Sequence, residues 1–297
     1  MRYSVRHLTE YYYQRSVFKA FNRGHLLPIT TSCQTLLNQQ IKINPEPSWK
    51  TVNNDIYGNN FLYFILSEPH QSLKIEITST LEVSEDTTHF TPNMDLTVRE
   101  ALSAIQQMRF SSSEIEDFLN SSPFVTKSED LFKLGAPYFN DNGSSLVSSI
   151  FAFTQHIFEE FEYSPGFSNI TTPITEVLEK KRGVCQDFAH ISIGVLRSLG
   201  FPARYVSGYI ETLPPPGQEK LIGSDASHAW FEVFIPEQGW FGFDPTNNKI
   251  AGHQHIITAR GRDYGDVTPL QGIFFGDTGD QSMIVEVDVL PISSQKS

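Results

Sequence analysis

Three side chains in the second half of the chain have the types and the order needed for nucleophilic catalysis. Cys185 lies in Lys181-Arg-Gly-Val-Cys-Gln-Asp-Phe-Ala-His190, and His228 and Asp244 follow within Ser227-His-Ala-Trp-Phe-Glu and Gly239-Trp-Phe-Gly-Phe-Asp244. A thiol attacks carbonyls as thiolate, and free cysteine is mostly protonated at neutral pH. Three things activate it: a helix N-terminus, an imidazole to share its proton, and a carboxylate to orient that imidazole. Cys185 stands where an apolar helical pattern begins, so the first condition is expected to hold.

Nine histidines compete for the second role. His190 is five residues along the same helix, about 140° around its axis, and cannot turn back to the sulfur. His156 falls mid-helix, and His7, His25, His70 and His89 lie in the strand-rich first part and its exit. His253 and His255 form an H-x-H in a loop-like stretch, too weak a pattern for a metal site, so no metal or cofactor is expected. His228 shares a strand face with Trp230 and Glu232, and Asp244 shares one with Trp240 and Gly242. An odd number of residues in the connecting loop puts His228 and Asp244 on the same face; an even number separates them. The sequence leaves that open.

Blander readings compete at several positions. Cys33 reads as a packed thiol, since cysteine is among the most buried residue types. Asp244 before Pro245 could simply start a turn. Gln186 and Asp187 occupy a first helical turn, where an acid suits the dipole, and are also candidates for the cleft. Ser227 at the strand entrance and Trp230 beyond it are further cleft candidates.

The elements that carry these residues can be read from periodicity. Residues 73–83 alternate, with Leu73, Ile75, Ile77, Leu81 and Val83 on one face, as in a half-buried antiparallel strand. Residues 4–13, 36–43 and 61–66 are weaker strand candidates between turn clusters, which predicts a β-sandwich-like domain over 1–95. A capping box, Thr97-Val-Arg-Glu100, opens a helix to about Gln107. A second short helix is expected from Ser113 to Asn120. Leu146, Ile150, Phe153, Ile157 and Phe161 form one face of a long helix behind Ser145. Thr172-Pro173 starts another, which Lys180-Lys181-Arg182-Gly183 closes, with glycine as terminator. The Cys185 helix keeps Phe188, Ile191, Val195 and Leu199 in register until Gly200 and Pro202. Strands then follow at 203–210, 226–235 and 240–244, and again at 283–290. Residues 212–224 form a proline-rich loop placed to gate a site. Residues 96–297 are thus assigned to a helical segment plus catalytic core.

Net charge is −12, with no lysine/arginine run longer than three, which argues against a nucleic-acid partner. No apolar stretch is long enough to span a membrane and no signal-type segment opens the chain, so a cytoplasmic setting with reduced thiols is expected.

Four blocks resemble the bacterial transglutaminase-like cysteine protease family: residues 181–190, 196–210, 225–248, and Gly261-Arg-Asp-Tyr-Gly-Asp-Val-Thr-Pro-Leu-Gln-Gly272. The strand-rich start is similar to the N-terminal domain often attached to that core. The resemblance implies an α+β fold: a papain-like transglutaminase core, with a helix-borne cysteine packed on an antiparallel sheet. It also implies a Cys185–His228–Asp244 triad acting on an amide, peptide or protein substrate. Better-known eukaryotic transglutaminases follow the nucleophile with tryptophan, where this chain has Gln186 and Asp187, and their calcium signatures are not evident. Those departures favour hydrolysis, with acyl transfer to an amine and a non-catalytic binding scaffold as the alternatives.

Overall fold

The computed structural model describes residues 1–84, 96–108, 113–140, 143–212 and 226–292. Six strands come first: β1 (Arg2–Val17), β2 (Lys19–Gly24), β3 (Gln34–Asn44), β4 (Trp49–Asn54), β5 (Asn60–Leu66) and β6 (His70–Val83). Helices α1 (Val98–Met108), α2 (Ser113–Asp117), α3 (Glu129–Gly135) and α4 (Leu146–Glu160) follow. Then α5 (Ile174–Lys180) sits between the two-residue strands β7 (Glu162–Tyr163) and β8 (Arg182–Gly183), and α6 (Cys185–Leu199) follows directly. The chain finishes with β9 (Ala203–Ile210), β10 (Ala226–Ile235), β11 (Gly239–Asp244), β12 (Lys249–Ile250), β13 (His255–Gly261), β14 (Gln271–Phe275) and β15 (Gln281–Ile292).

Two four-stranded sheets, ordered β15-β1-β6-β3 and β14-β2-β5-β4, face each other as a sandwich. The alternating positions of β6 (Leu73, Ile75, Ile77) meet Leu62, Phe64 and Leu66 of β5 in one core, the packing their period of two dictates. The sandwich draws strands from both ends of the chain: β1 pairs with β15 and β2 with β14, both antiparallel. Residues 271–292, which the sequence assigns to the core, therefore belong structurally with the first 83. Pairing between strands so far apart in sequence leaves no local pattern that could announce it.

Besides the two-stranded β7-β8 pair, a five-stranded sheet, ordered β12-β11-β10-β9-β13, carries α6 across one face. Phe188, Ile191 and Val195 of α6 interlock with Ala229, Phe231 and Val233 of β10 and with the apolar face of α4. Leu146, Ile150, Phe153, Ile157 and Phe161 are all buried there, as their spacing predicts. Ser145 caps α4 through its hydroxyl, which accepts the Ser148 N–H at 3.1 Å. Thr97 and Glu100 form the expected capping box on α1, the Glu100 carboxylate accepting the Thr97 N–H at 2.9 Å.

β13 is an edge strand, and the sandwich seals it with side-chain amides. Gln34 donates to the Ile257 carbonyl and accepts the Ile257 N–H, both at 2.9 Å. Asn59 repeats the pattern on Arg260, at 2.6 and 2.7 Å. Two carboxamides thus take the place of a neighbouring strand and satisfy backbone groups that burial would otherwise leave unpaired.

Candidate active site

Cys185 is the first residue of α6, with Val184 in extended conformation at the N-cap. The turn into the helix is held by Asp187, whose carboxylate accepts the Val184 N–H at 2.8 Å and a hydrogen bond from the Ser168 hydroxyl. Burial of that carboxyl raises its pKa, and the two bonds work against the rise. Gly183 makes the return possible, because a Cβ there would lie 2.8 Å from Asp187 Cβ and Oδ2. The sequence suggests Gly183 as the terminator of α5, but Lys181 takes the left-handed position, at φ 49°. The glycine is needed for close approach, not for a positive φ.

His228 lies on β10 and Asp244 ends β11. The hairpin pairs Phe231 with Phe243 and Ile235 with Gly239, so the loop is Pro236–Gln238, an odd three residues. His228 and Asp244 accordingly share a face on a diagonal, with His228 Nε2 2.8 Å from Asp244 Oδ2. Nδ1 is the ring nitrogen that Asp244 does not engage. Burial works against charge on His228, but hydrogen bonds to Asp244 and Cys185, with the negative charge at both, outweigh it and push its pKa up to about 10. Burial raises the pKa of Tyr205 and of Tyr163, and proximity to Cys185 adds to the rise in both.

Asp244 performs two jobs with two oxygens. Oδ1 accepts the N–H groups of Thr246 and Asn247 at 3.0 and 3.2 Å, so the turn suggested by Asp-Pro is present. Oδ2 accepts from His228, from Asn247 Nδ2 at 2.7 Å and from His255 Nε2 at 3.1 Å. Burial opposes ionisation, yet the two imidazoles hold this carboxyl far below the usual carboxylate range. Asn247 and His255 carried no such role in the sequence. Asn247 follows from the turn at Asp244, whereas His255, placed there in a loop, in fact opens β13.

Of the suggested cleft residues, Gln186 is half-buried and Ser227 exposed. Asp187 and Trp230 point inward, at 4% and 1% exposure, which leaves neither free to meet a substrate from solvent. Trp230 packs between two imidazoles, its ring centroid 5.9 Å from His228 and 5.1 Å from His255. Gly208 and Gly242 make room for the indole; a Cβ at Gly208 would lie 2.7 Å from it. Beyond Trp230 and His255 is a cavity of about 300 Å³, whose lining includes Arg204, Glu232, Arg260 and Cys33 but not Cys185. Glu232 is ion-paired to Arg204 at 2.6 Å and to Arg260 at 3.0 Å. Of the 212–224 loop only Thr212 falls within the described residues, and Asp225 lies outside them.

His228, Asp244 and His255 are grouped closely enough to hold a cation. Their chemistry argues otherwise: His255 Nδ1 accepts the Gly252 N–H at 3.1 Å, Nε2 points its proton at Asp244, and five donors occupy the carboxylate. Among the described residues no helix is long and apolar enough to cross a membrane.

Residues 136–245 match the transglutaminase-like superfamily, and residues 3–82 match the bacterial transglutaminase-like N-terminal region. An uncharacterised protein of Mycobacterium tuberculosis is 37% identical, covering 98% of this chain and 93% of that one. A protein-glutamine gamma-glutamyltransferase of Pseudomonas aeruginosa is 33% identical over 103 residues, which is 32% of this chain and 15% of that protein. A solved structure of a candidate cysteine protease from Cytophaga hutchinsonii superposes with a TM-score of 0.72 at 23% identity, covering 99% of this chain and 92% of that one. That likeness is one of fold.

Proposed function

The chain belongs to the transglutaminase-like superfamily, and from that premise we propose that it is a cysteine-nucleophile enzyme that hydrolyses amide or peptide bonds. One observation carries the reading: an imidazole whose Nε2 is 2.8 Å from a buried carboxylate is held charged by that carboxylate and by a thiol at a helix start. An imidazolium is the partner a thiolate nucleophile needs, and Asp244 keeps it both charged and oriented.

In the proposed reaction Cys185 Sγ bonds to the carbonyl carbon and the C=O electron pair moves onto oxygen. The N–H of Cys185, which has no acceptor within the helix, is suited to receive that oxyanion. Collapse breaks the C–N bond as His228 gives its proton to the leaving amine, and a thioester remains. Water then attacks the thioester, His228 takes a proton from it, and the acid leaves with the thiolate restored. Hydrolysis is favoured because Gln186 and Asp187 replace the tryptophan that follows the nucleophile in the better-known cross-linking enzymes. Both cysteines are free thiols, which suits a reducing, cytoplasmic setting.

The similarity to a glutamine gamma-glutamyltransferase over 103 residues favours a second reading, in which an amine resolves the thioester. Both readings require that Cys185→Ala lower turnover of amide substrates by roughly a thousand-fold or more. Adding a primary amine separates them: hydrolysis continues to release acid, whereas transfer diverts product to the new amide. Undiminished turnover in Cys185→Ala would end both.

A further inference from the structure

Two imidazoles meet the Asp244 carboxylate, and the chemistry above uses one. His255 Nε2 is 3.1 Å from Asp244 Oδ2, the oxygen that also faces His228. A neutral imidazole has one N–H and one lone pair. Since His255 Nδ1 accepts the Gly252 N–H at 3.1 Å, the proton lies on Nε2 and is given to Asp244. Burial keeps this ring neutral despite the adjacent carboxylate, so the bond adds no charge that would compete with His228.

His255 is also a wall. It lines the cavity of about 300 Å³ and touches the carboxylate, with Trp230 set edge-on against it at 71°. Removing the ring would join that cavity to Asp244, which is otherwise fully buried, and water would compete for the lone pairs that face His228. The charged or titratable groups around it are Asp244 from β11, His228 from β10 and Lys249 from β12. Arg204, Glu232, Arg260 and Cys33 share the cavity. The strand that carries His255 is itself pinned two residues later, where Gln34 pairs with Ile257.

We infer that His255 is a positioning residue for the Cys185–His228–Asp244 chemistry: a neutral Nε2–H donor that fixes the rotation of the Asp244 carboxylate and shuts water out behind it. The inference rests on the function proposed above. It assigns His255 no contact with substrate; its influence passes through Asp244 to His228.

The test uses the full chain with His255→Leu and His255→Gln, each checked for folding by thermal melting. His228 is titrated by NMR, and kcat and KM are measured on an amide substrate. The expected result for His255→Leu is a His228 titration at least one unit below its native position. kcat should fall roughly ten- to a hundred-fold, the scale of losing one hydrogen bond to a charged group, with KM little changed. His255→Gln, whose carboxamide can still donate, should recover kcat to within a few-fold and return the titration towards native. A folded His255→Leu whose His228 titrates at or above the native position overturns the inference, as does a Gln variant no better than Leu. The titration needs no turnover, so it still decides on His255 even if activity surviving in Cys185→Ala defeats the proposed function.

Discussion

β10 divides the core of the molecule into two regions built on opposite rules. Ala229, Phe231 and Val233 face α6 and are enclosed by Phe188, Ile191, Val195 and the apolar faces of the other helices. His228, Trp230 and Glu232, one residue out of phase, face a region of imidazoles, carboxylates and guanidinium groups. The helix side is stabilised by contact area, which tolerates local adjustment. The other side is stabilised by satisfied charges, where every oxygen of Asp244 has named donors and removing one partner strands another. Cys185 stands where the two meet: its helix is anchored by the apolar side, and its sulfur is addressed to the charged side.

The difference can be tested by breaking each side in turn. The largest expected effect is that of Asp244→Asn, which leaves His228 without its anion and should lower kcat by about a thousand-fold or more. It should also change how stability depends on pH. His228 is held protonated to about 10, against about 6.5 in the unfolded chain. Its contribution is therefore complete below about 6.5 and lost as pH rises towards 10. Asp244, held far below the ordinary range, contributes above about 4 and loses that contribution on acidification. Denaturant melts from pH 2 to 10 should show both slopes in the native chain; in Asp244→Asn the acid slope should be gone and the alkaline one reduced.

Phe231→Ala, on the opposite face of the same strand, should cost about 3–5 kcal/mol of unfolding free energy and show little pH dependence. Equal pH slopes in the two variants would erase the distinction between the faces. Gln34→Leu should have the smallest effect, about 1–3 kcal/mol, because it strands the buried N–H of Ile257, whose carbonyl keeps the Ile29 N–H. Urea midpoints check both values, and an unchanged midpoint in Gln34→Leu would mean that the sandwich does not brace β13.

Much of this arrangement is legible in the sequence wherever the information is local. The alternation of β6, the apolar stripe of α4 and the start of α6 at Cys185 each follow from residue spacing within a single element. The types and order of Cys185, His228 and Asp244 are readable too, but the shared face depends on the loop Pro236–Gln238, whose length the sequence leaves ambiguous. What was not legible is long-range. Nothing near residue 281 says that β15 pairs with β1. The role of His255 was hidden for the same reason. Its partner is eleven residues away, but the carboxylate it meets is fixed by a turn and a hairpin that only the folded sheet supplies.

The most direct measurement compares the two thiols within one molecule. Carbamidomethylation by iodoacetamide, followed peptide by peptide with mass spectrometry, reads Cys185 and Cys33 together in the native chain and in His228→Gln. The expected result is that Cys185 is labelled far faster than Cys33 at neutral pH, and that most of this advantage disappears when the imidazole is removed. Labelling of Cys185 at the rate of a free cysteine, unchanged by His228→Gln, would contradict the account.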